Sequence, residues 1–218
     1  MKYVQVGLGQ RWGGLRRILD QYPGFERQAT VLLNGRMARD GIYTDLAACL
    51  ADQRADVVIS FASPLATPGL AKTALDCGVP IMVTAPPAAT TAGLDELGEF
   101  ADTNQVQVYQ PYVRLPGHLA RLAALKIGHL GAVSEVQIGL DDPAHAIALM
   151  RAYLWAASDA AEGRRAVVSG HYFPNEDLDG TDGGPQSLIA IDFGEGKRGI
   201  YLGEGTKSHP GRLLIKAS

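Results

Sequence analysis

The residues that decide the fold are Tyr3-Val-Gln-Val-Gly-Leu-Gly-Gln-Arg-Trp-Gly13, close to the start of the chain. A short apolar run at residues 3–6 predicts a strand, and the apolar spacing of residues 15–19 predicts a helix. A glycine-rich turn between a strand and a helix presents backbone N–H groups and the positive end of the helix dipole to an anion. We therefore predict a phosphate-binding turn formed by Gly7, Gly9, Gln10, Arg11, Trp12 and Gly13.

The glycine spacing is GxGxxxG, a variant of the dinucleotide-binding fingerprint. In that motif the first glycine, here Gly7, permits the tight turn, and the second, here Gly9, lets the backbone approach a pyrophosphate. Glycines that merely form a tight turn give the same pattern, so the spacing alone is a weak signal. Its position after the first strand of a βαβ unit favours dinucleotide binding.

The end of the second predicted strand, residues 29–33, bears on which dinucleotide binds. An Asp or Glu about 20 residues after the glycine turn normally binds the ribose hydroxyls, whereas this chain has Asn34, Gly35 and Arg36. Without that carboxylate nothing repels a 2′-phosphate, and Arg36 can pair with one. The pattern favours NADP over NAD, although a solvated arginine in a turn explains Arg36 equally well.

The first half of the sequence alternates strand and helix patterns. Further strands are predicted at residues 57–61, 80–83 and 106–109, and helices at about 44–51, 68–77 and 91–101, with Thr44 as the N-cap of the first of these helices. The run VVISF at 57–61 is apolar throughout, as is typical of a parallel strand covered on both faces. This alternation predicts an α/β fold with a Rossmann parallel sheet.

The pattern changes after residue 114. Helices are predicted at about 118–127 and 143–157, and strands at 133–138, 166–172, 187–193, 199–202 and 213–216. Strands that follow one another across Gly- and Asp-rich turns are typical of an antiparallel sheet. We therefore predict a dinucleotide-binding domain at 1–114 and a smaller α+β domain at 115–218, with a mostly antiparallel open sheet.

Composition excludes several function classes. The formal charge is −3, from 20 basic and 23 acidic residues, so neither a nucleic acid nor a membrane surface is an expected partner. The chain starts with a strand pattern and has no apolar run long enough to cross a bilayer. Cys49 and Cys77 lie in apolar, helix-like segments without metal-ligand spacing, so we predict two buried thiols, no metal site and a cytoplasmic location.

Several segments, in their order along the chain, resemble the Gfo/Idh/MocA oxidoreductases. They are VGLGQRWGG at 6–14, YTDLAACLAD at 43–52, ADVVISFASPLATPGLAKTALDCGVPIMV at 55–83, YQPYVRLP at 109–116 and IGHLGAVSEVQI at 127–138. The resemblance implies an N-terminal Rossmann domain, a C-terminal domain with an open sheet, and NADP or NAD as cofactor. It further implies a small carbonyl, alcohol or imine substrate, and a homodimer or homotetramer formed through the second-domain sheet.

The same resemblance implies cofactor contacts after two strands. The turn at Ala62, Ser63 and Pro64 is expected to pack against the cofactor. A family Glu-Lys-Pro triplet, whose Lys touches nicotinamide and substrate, corresponds here to Thr84, Ala85 and Pro86, of which Ala85 and Pro86 are expected to contact the cofactor. Because alanine donates no proton, Ala85 cannot do the chemistry of the family's Lys.

The family's catalytic Asp and His, spaced i, i+4 at the start of a helix, match Asp141 and His145. A pair near a helix start also fits an ordinary capping arrangement. Tyr112 follows the strand at 106–109 and is a further acid candidate. Two functions therefore stay open: an NAD(P)-dependent oxidoreductase, or a catalytically inactive dinucleotide-binding relative with a regulatory or structural role. Ala85 and a second domain shorter than is usual in the family favour the latter.

Overall fold

The computed structural model describes residues 1–8, 13–33, 41–100, 105–129, 131–140, 142–156, 166–172, 185–204 and 212–217. Contacts divide the chain into two units, Met1–Tyr109 and Gln110–Ser218. The boundary expected from the sequence, after residue 114, lies a few residues further along and stays a prediction.

The first unit is built on a six-stranded sheet in which each neighbouring pair is parallel. The strand order is β3–β2–β1–β4–β5–β6. The order reverses between β1 and β4, because β2 and β3 are added on one side of β1, and β4, β5 and β6 on the other. This order confirms the predicted Rossmann sheet, whose ligands bind where the order reverses, beyond the carboxyl ends of the strands. Its strands are β1 (Lys2–Val6), β2 (Glu26–Val31), β3 (Ile42–Tyr43), β4 (Val57–Ser60), β5 (Ile81–Thr84) and β6 (Val106–Tyr109).

Four helices accompany this sheet, and the apolar side chains of its strands form clusters on two faces. The helices are α1 (Gly13–Gln21), α2 (Leu46–Asp52), α3 (Thr67–Asp76) and α4 (Thr91–Gly98). Val4 and Val58 belong to a core cluster that includes residues of α2 and α3, whereas Tyr3 and Ile59 cluster with Leu19 of α1. Alternate residues of one strand therefore serve opposite faces, as the apolar run at 57–61 predicts.

The second unit contains a five-stranded mixed sheet with the order β11–β7–β10–β9–β8. Only the pair β7–β10 is parallel among its described strand pairs, which confirms the mostly antiparallel sheet. The elements are α5 (Pro116–Lys126), β7 (Val133–Gly139), α6 (Pro143–Leu154), β8 (Val167–Tyr172), β9 (Pro185–Asp192), β10 (Arg198–Glu204) and β11 (Arg212–Ala217). Leu149, Met150 and Tyr153 of α6 are buried in one cluster with Val136 and Ile138 of β7.

Three local expectations are corrected by the structure. The N-cap of α2 is Asp45 and not Thr44, since the Asp45 carboxylate accepts the Ala48 N–H at 2.7 Å. Cys77 is exposed because it follows the last residue of α3, whereas Cys49 is buried as predicted. The two-residue strand Ile42–Tyr43 was not expected, because so short a run carries no periodic signal.

None of the helices in the described part of the chain has the length and apolar character needed to cross a lipid bilayer.

Candidate functional site

A cleft of about 560 Å³ opens in the first unit at the carboxyl ends of β1, β2 and β4. This volume lies within the range of small-molecule sites, and the position is the one at which sheets of this order bind ligands. The lining residues are Gly7, Leu8, Leu32, Leu33, Ala62, Ser63 and Ala66.

Gly7 has a backbone conformation that requires glycine. Its φ angle is +79°, in the left-handed region that side chains disfavour. A Cβ atom at this position would also lie 3.3 Å from the carbonyl oxygen of Phe61. The Gly7 N–H donates to the Val31 carbonyl at 2.8 Å, so the turn is tied to the end of β2. The structure thus gives the first glycine the role of a tight turn.

The turn after β4 lines the same cleft. The Ala62 N–H donates to the Ser60 hydroxyl at 3.3 Å, and the Ser63 carbonyl accepts from the Ala66 N–H at 3.0 Å at the start of α3. Gly7, Ala62 and Ser63, all selected from the sequence, therefore lie together, while Pro64 follows in the chain without lining the cleft. The apolar residues Leu8, Leu32, Leu33 and Ala66 were missed, because apolar side chains at strand ends carry no signal that separates binding from packing.

Several predicted residues lie outside the part of the chain that the structure describes. They are Gly9, Gln10, Arg11, Trp12, Asn34, Gly35, Arg36 and Asp141. Gly13 is the first residue of α1. The preference for NADP over NAD, which depends on Asn34 and Arg36, therefore stays a prediction.

Ala85 and Pro86 directly follow β5 and are joined by a cis peptide bond. They stand at the same sheet edge as Gly7 and Ala62, because the carboxyl ends of parallel strands share one edge. Neither of them lines the cleft described above. The methyl group of Ala85 offers no proton donor or acceptor at this edge.

In the second unit, two of the three catalytic candidates are in contact. His145 lies in the first turn of α6 and is only 3% exposed, and Tyr112 opens a 3₁₀ turn at Tyr112–Arg114. Their ring centroids are 5.1 Å apart with an angle of 52° between the rings. Burial lowers the pKa of His145, and the nearby Asp142 carboxylate opposes this shift in part. A neutral imidazole near pH 7 can accept a proton, as acid–base chemistry requires.

The helix α6 is capped by Asp142, the residue that follows Asp141. Asp142 is the N-cap of α6, because its carboxylate accepts the N–H groups of Ala144 at 2.9 Å and His145 at 3.3 Å. This cap fixes the backbone from which the His145 side chain extends.

A second pair of a histidine with a tyrosine was not predicted from the sequence. His118 Nδ1 of α5 lies 2.7 Å from the hydroxyl of Tyr153 of α6, and Tyr153 is fully buried. Burial, and then the Arg121 guanidinium, lower the pKa of His118. Burial raises the pKa of Tyr153. The pairing joins residues far apart in sequence, so spacing alone does not reveal it.

The described residues contain no cluster of three or more His, Cys, Asp or Glu side chains that could hold a metal ion.

No protein-family model and no curated protein matches the sequence. Solved structures resemble the fold over nearly the whole chain. An oxidoreductase from Agrobacterium radiobacter, in complex with NAD+, L-tartaric acid and magnesium, has a TM-score of 0.77 at 16% identity, covering 100% of this chain and 72% of that one. GenD2 from gentamicin A biosynthesis, in complex with NAD, has a TM-score of 0.74 at 18% identity, covering 99% and 68%.

The myo-inositol 2-dehydrogenase from Lactobacillus plantarum also resembles this chain, with a TM-score of 0.73 at 12% identity over 100% of this chain and 74% of that one. At such identities the likeness establishes a shared fold.

Proposed function

We propose that the chain binds NADP or NAD in the cleft of its first unit and acts as an oxidoreductase on a small carbonyl, alcohol or imine substrate. The observation that carries this proposal is Gly7, held at positive φ where the strand order reverses and lining the cleft with Ala62 and Ser63. The three solved structures named above add support, since one is called an oxidoreductase and another a dehydrogenase, and two were solved with NAD.

For binding, the glycine turn and the start of α1 would hold the pyrophosphate. Leu32 and Leu33 follow β2 and line the cleft on the side proposed for the adenosine, next to Asn34 and Arg36 in the sequence. The test is titration of the protein with NADPH and NADH, followed by fluorescence and by calorimetry. Saturable binding of either dinucleotide is expected, and no binding of either at millimolar concentration would refute the proposal.

For catalysis, the cleft residues would hold the dinucleotide, and a nicotinamide bound there would supply or accept the hydride. With alanine at position 85, the proton must come from another group. We assign the proton transfer to His145, whose imidazole is in ring contact with Tyr112, with Asp141 as a further candidate. The neutral imidazole would take the proton from an alcohol as the hydride leaves, and the imidazolium so formed would return it to the substrate in the reverse direction.

The variant His145→Asn tests this assignment. We expect kcat to fall by about 100-fold or more, because loss of a general acid or base has effects of that size. The affinity for NADPH should stay within about two-fold, since the glycine turn is intact. Stopped-flow absorbance at the nicotinamide band measures turnover, and Tyr112→Phe serves as the companion variant. Unchanged kcat in His145→Asn would remove His145 from the mechanism.

The alternative is a dinucleotide-binding protein without catalysis, for which the sequence offers Ala85 and the short second domain. Screening the oxidation of bound NADPH against sugars, keto acids and imines separates the two functions. Turnover with any of these substrates rejects a purely binding role.

We also propose that the second-unit sheet mediates self-association. The strand register places Leu214, Ile200, Leu202 and Leu188 on the sheet face opposite to the one carrying Val136 and Ile138, which cluster with α6. Leu214 is 55% exposed on this face. A sheet face that carries these apolar side chains beside the polar Gln137 and Arg198 fits a homo-oligomer interface.

A further inference from the structure

The carbonyl groups of Gly7 and Leu8, where the glycine turn begins, both accept hydrogen bonds from side chains. The Gln5 amide Nε2 of β1 donates to the Gly7 carbonyl at 2.7 Å. The Arg16 Nη1 of α1 donates to the Leu8 carbonyl at 3.3 Å. Side chains from two different elements therefore fix the backbone of Gly7 and Leu8, which line the cleft proposed for the dinucleotide.

Gln5 is an unusual residue for its position. It is 1% exposed and lies between Val4 and Val6 on a central strand of a parallel sheet, where apolar side chains are the rule. Burying a primary amide costs free energy unless both its ends form hydrogen bonds. A leucine would pack at such a position without that cost, so the amide must be explained by what it contacts.

The orientation of the Gln5 amide is set by a charged group. The Arg27 guanidinium of β2 donates to Gln5 Oε1 at 3.3 Å. A guanidinium has no acceptor, so the amide oxygen must face Arg27 and the NH₂ group must face the Gly7 carbonyl. Arg27 is in turn held by Asp20, whose carboxylate lies 3.5 Å from Arg27 Nη2.

Asp20 connects the two arginines. Its carboxylate lies 3.7 Å from Arg16 Nε and also accepts the Tyr3 hydroxyl at 3.1 Å. The members of this turn-support network are Gln5, Arg16, Asp20 and Arg27. Salt bridges of half-exposed groups are weak individually, but here one carboxylate contacts both Arg16, which donates to the turn, and Arg27, which orients Gln5.

We propose that Gln5 is a positioning residue for the dinucleotide pyrophosphate, kept in orientation by Arg27 and Asp20. This inference rests on the proposed dinucleotide binding. A trans peptide is planar, so a Gly7 carbonyl held toward Gln5 places the Leu8 N–H on the opposite side. A donor that is already fixed before the phosphate binds loses no conformational entropy on binding, which is the advantage of preorganisation.

The test compares Gln5→Leu and Gln5→Glu with the wild type. The leucine variant loses both hydrogen bonds, whereas an ionised glutamate keeps the acceptor for Arg27 and loses the donor to the Gly7 carbonyl. The matched control is Gln53→Leu, because Gln53 is a half-buried amide of the same unit that donates to the Tyr43 hydroxyl, away from the turn. Calorimetry gives the affinities for NADPH and ADP, and NMR titration gives the affinity for adenosine.

We expect both Gln5 variants to bind NADPH and ADP about ten-fold more weakly, as befits the loss of an oriented hydrogen bond to the site. Adenosine lacks the pyrophosphate, so its affinity should change by less than about two-fold. Gln53→Leu should bind all three ligands like the wild type. A role in stability alone would lower the melting temperature without separating ADP from adenosine.

Each outcome decides between the two claims. Wild-type protein that binds neither NADPH, NADH nor ADP overturns the proposed function and this inference together. Wild-type protein that binds NADPH, with Gln5 variants that bind ADP equally well, overturns the inference and leaves the proposed function standing. If the Gln5 variants do not fold, Arg27→Met at a half-exposed position takes their place, and its ADP affinity must fall while its adenosine affinity stays constant.

Discussion

The backbone conformation of Gly7 affects both the stability of the protein and the shape of the proposed binding site. Its φ of +79° strains any side chain, and a Cβ only 3.3 Å from the Phe61 oxygen would force the backbone there to shift. We expect Gly7→Ala to lower the free energy of unfolding by about 1–2 kcal/mol, since L-residues are strained in this region, and to weaken NADPH binding. Urea denaturation and NADPH titration measure both effects.

The matched control is Gly69→Ala within α3, where a Cβ meets no atom within 4 Å. A helical alanine at that position should leave binding unchanged and stabilise the protein by up to about 1 kcal/mol. Equal NADPH affinity in the Gly7→Ala variant and the wild type would contradict the role given to the turn.

The two cysteines are a second case in which single residues are expected to behave differently. Burial, assisted by Asp52 and Asp45, raises the pKa of Cys49 to about 11, whereas Cys77 is exposed. Because the thiolate is the reactive form, one thiol per folded chain should react rapidly with a disulfide reagent. The fast phase should vanish in Cys77→Ser and persist in Cys49→Ser. Two fast thiols in the wild type would show that Cys49 is accessible.

We expect the free energy of unfolding to depend on pH through one histidine in α5 and one in α6. Burial lowers the pKa of both His118 and His145 from the ordinary value of 6.5. The unfolded chain therefore binds these protons more readily than the folded chain as the pH falls below 6.5. Their effect is absent above pH ~7.5 and reduces the free energy of unfolding as the pH decreases through 6.5.

Urea denaturation between pH 8 and 5, roughly the range in which histidines titrate, measures this slope. The double variant His118→Gln/His145→Gln should show a flatter dependence, whatever its absolute stability. An unchanged slope in that variant would assign the pH dependence to other groups.

Strands and helices that depend on a local pattern of apolar residues could be predicted from the sequence. The strand Val106–Tyr109 has the bounds expected from its apolar residues, and the alternation of strands with helices gave the parallel sheet. The contact of Tyr112 with His145 depends on how a turn packs against a helix, so no sequence spacing encodes it. The bond from Gln5 to the Gly7 carbonyl was missed because a lone glutamine in an apolar run carries no motif.

For the molecule as a whole, the open sheet face leads to a prediction about assembly. We expect wild-type protein to be a homodimer or homotetramer by size-exclusion chromatography with light scattering. Leu214→Glu should shift it towards the monomer, because a carboxylate buried in an interface next to apolar side chains is costly to desolvate. Ile18→Glu, at an exposed position of α1, is the control and should not change the mass. A monomeric wild type would refute the assembly.

The strand orders also set a sequence of events during synthesis. Every strand of the first sheet lies before residue 110, so that sheet can close while the ribosome is still translating the second half. In the second sheet, β7 pairs with β11, its partner at Arg212–Ala217. One side of β7 must therefore wait for residue 217 to leave the exit tunnel. During that interval β7 is a nascent, half-paired edge, the kind of surface that holdase chaperones shield.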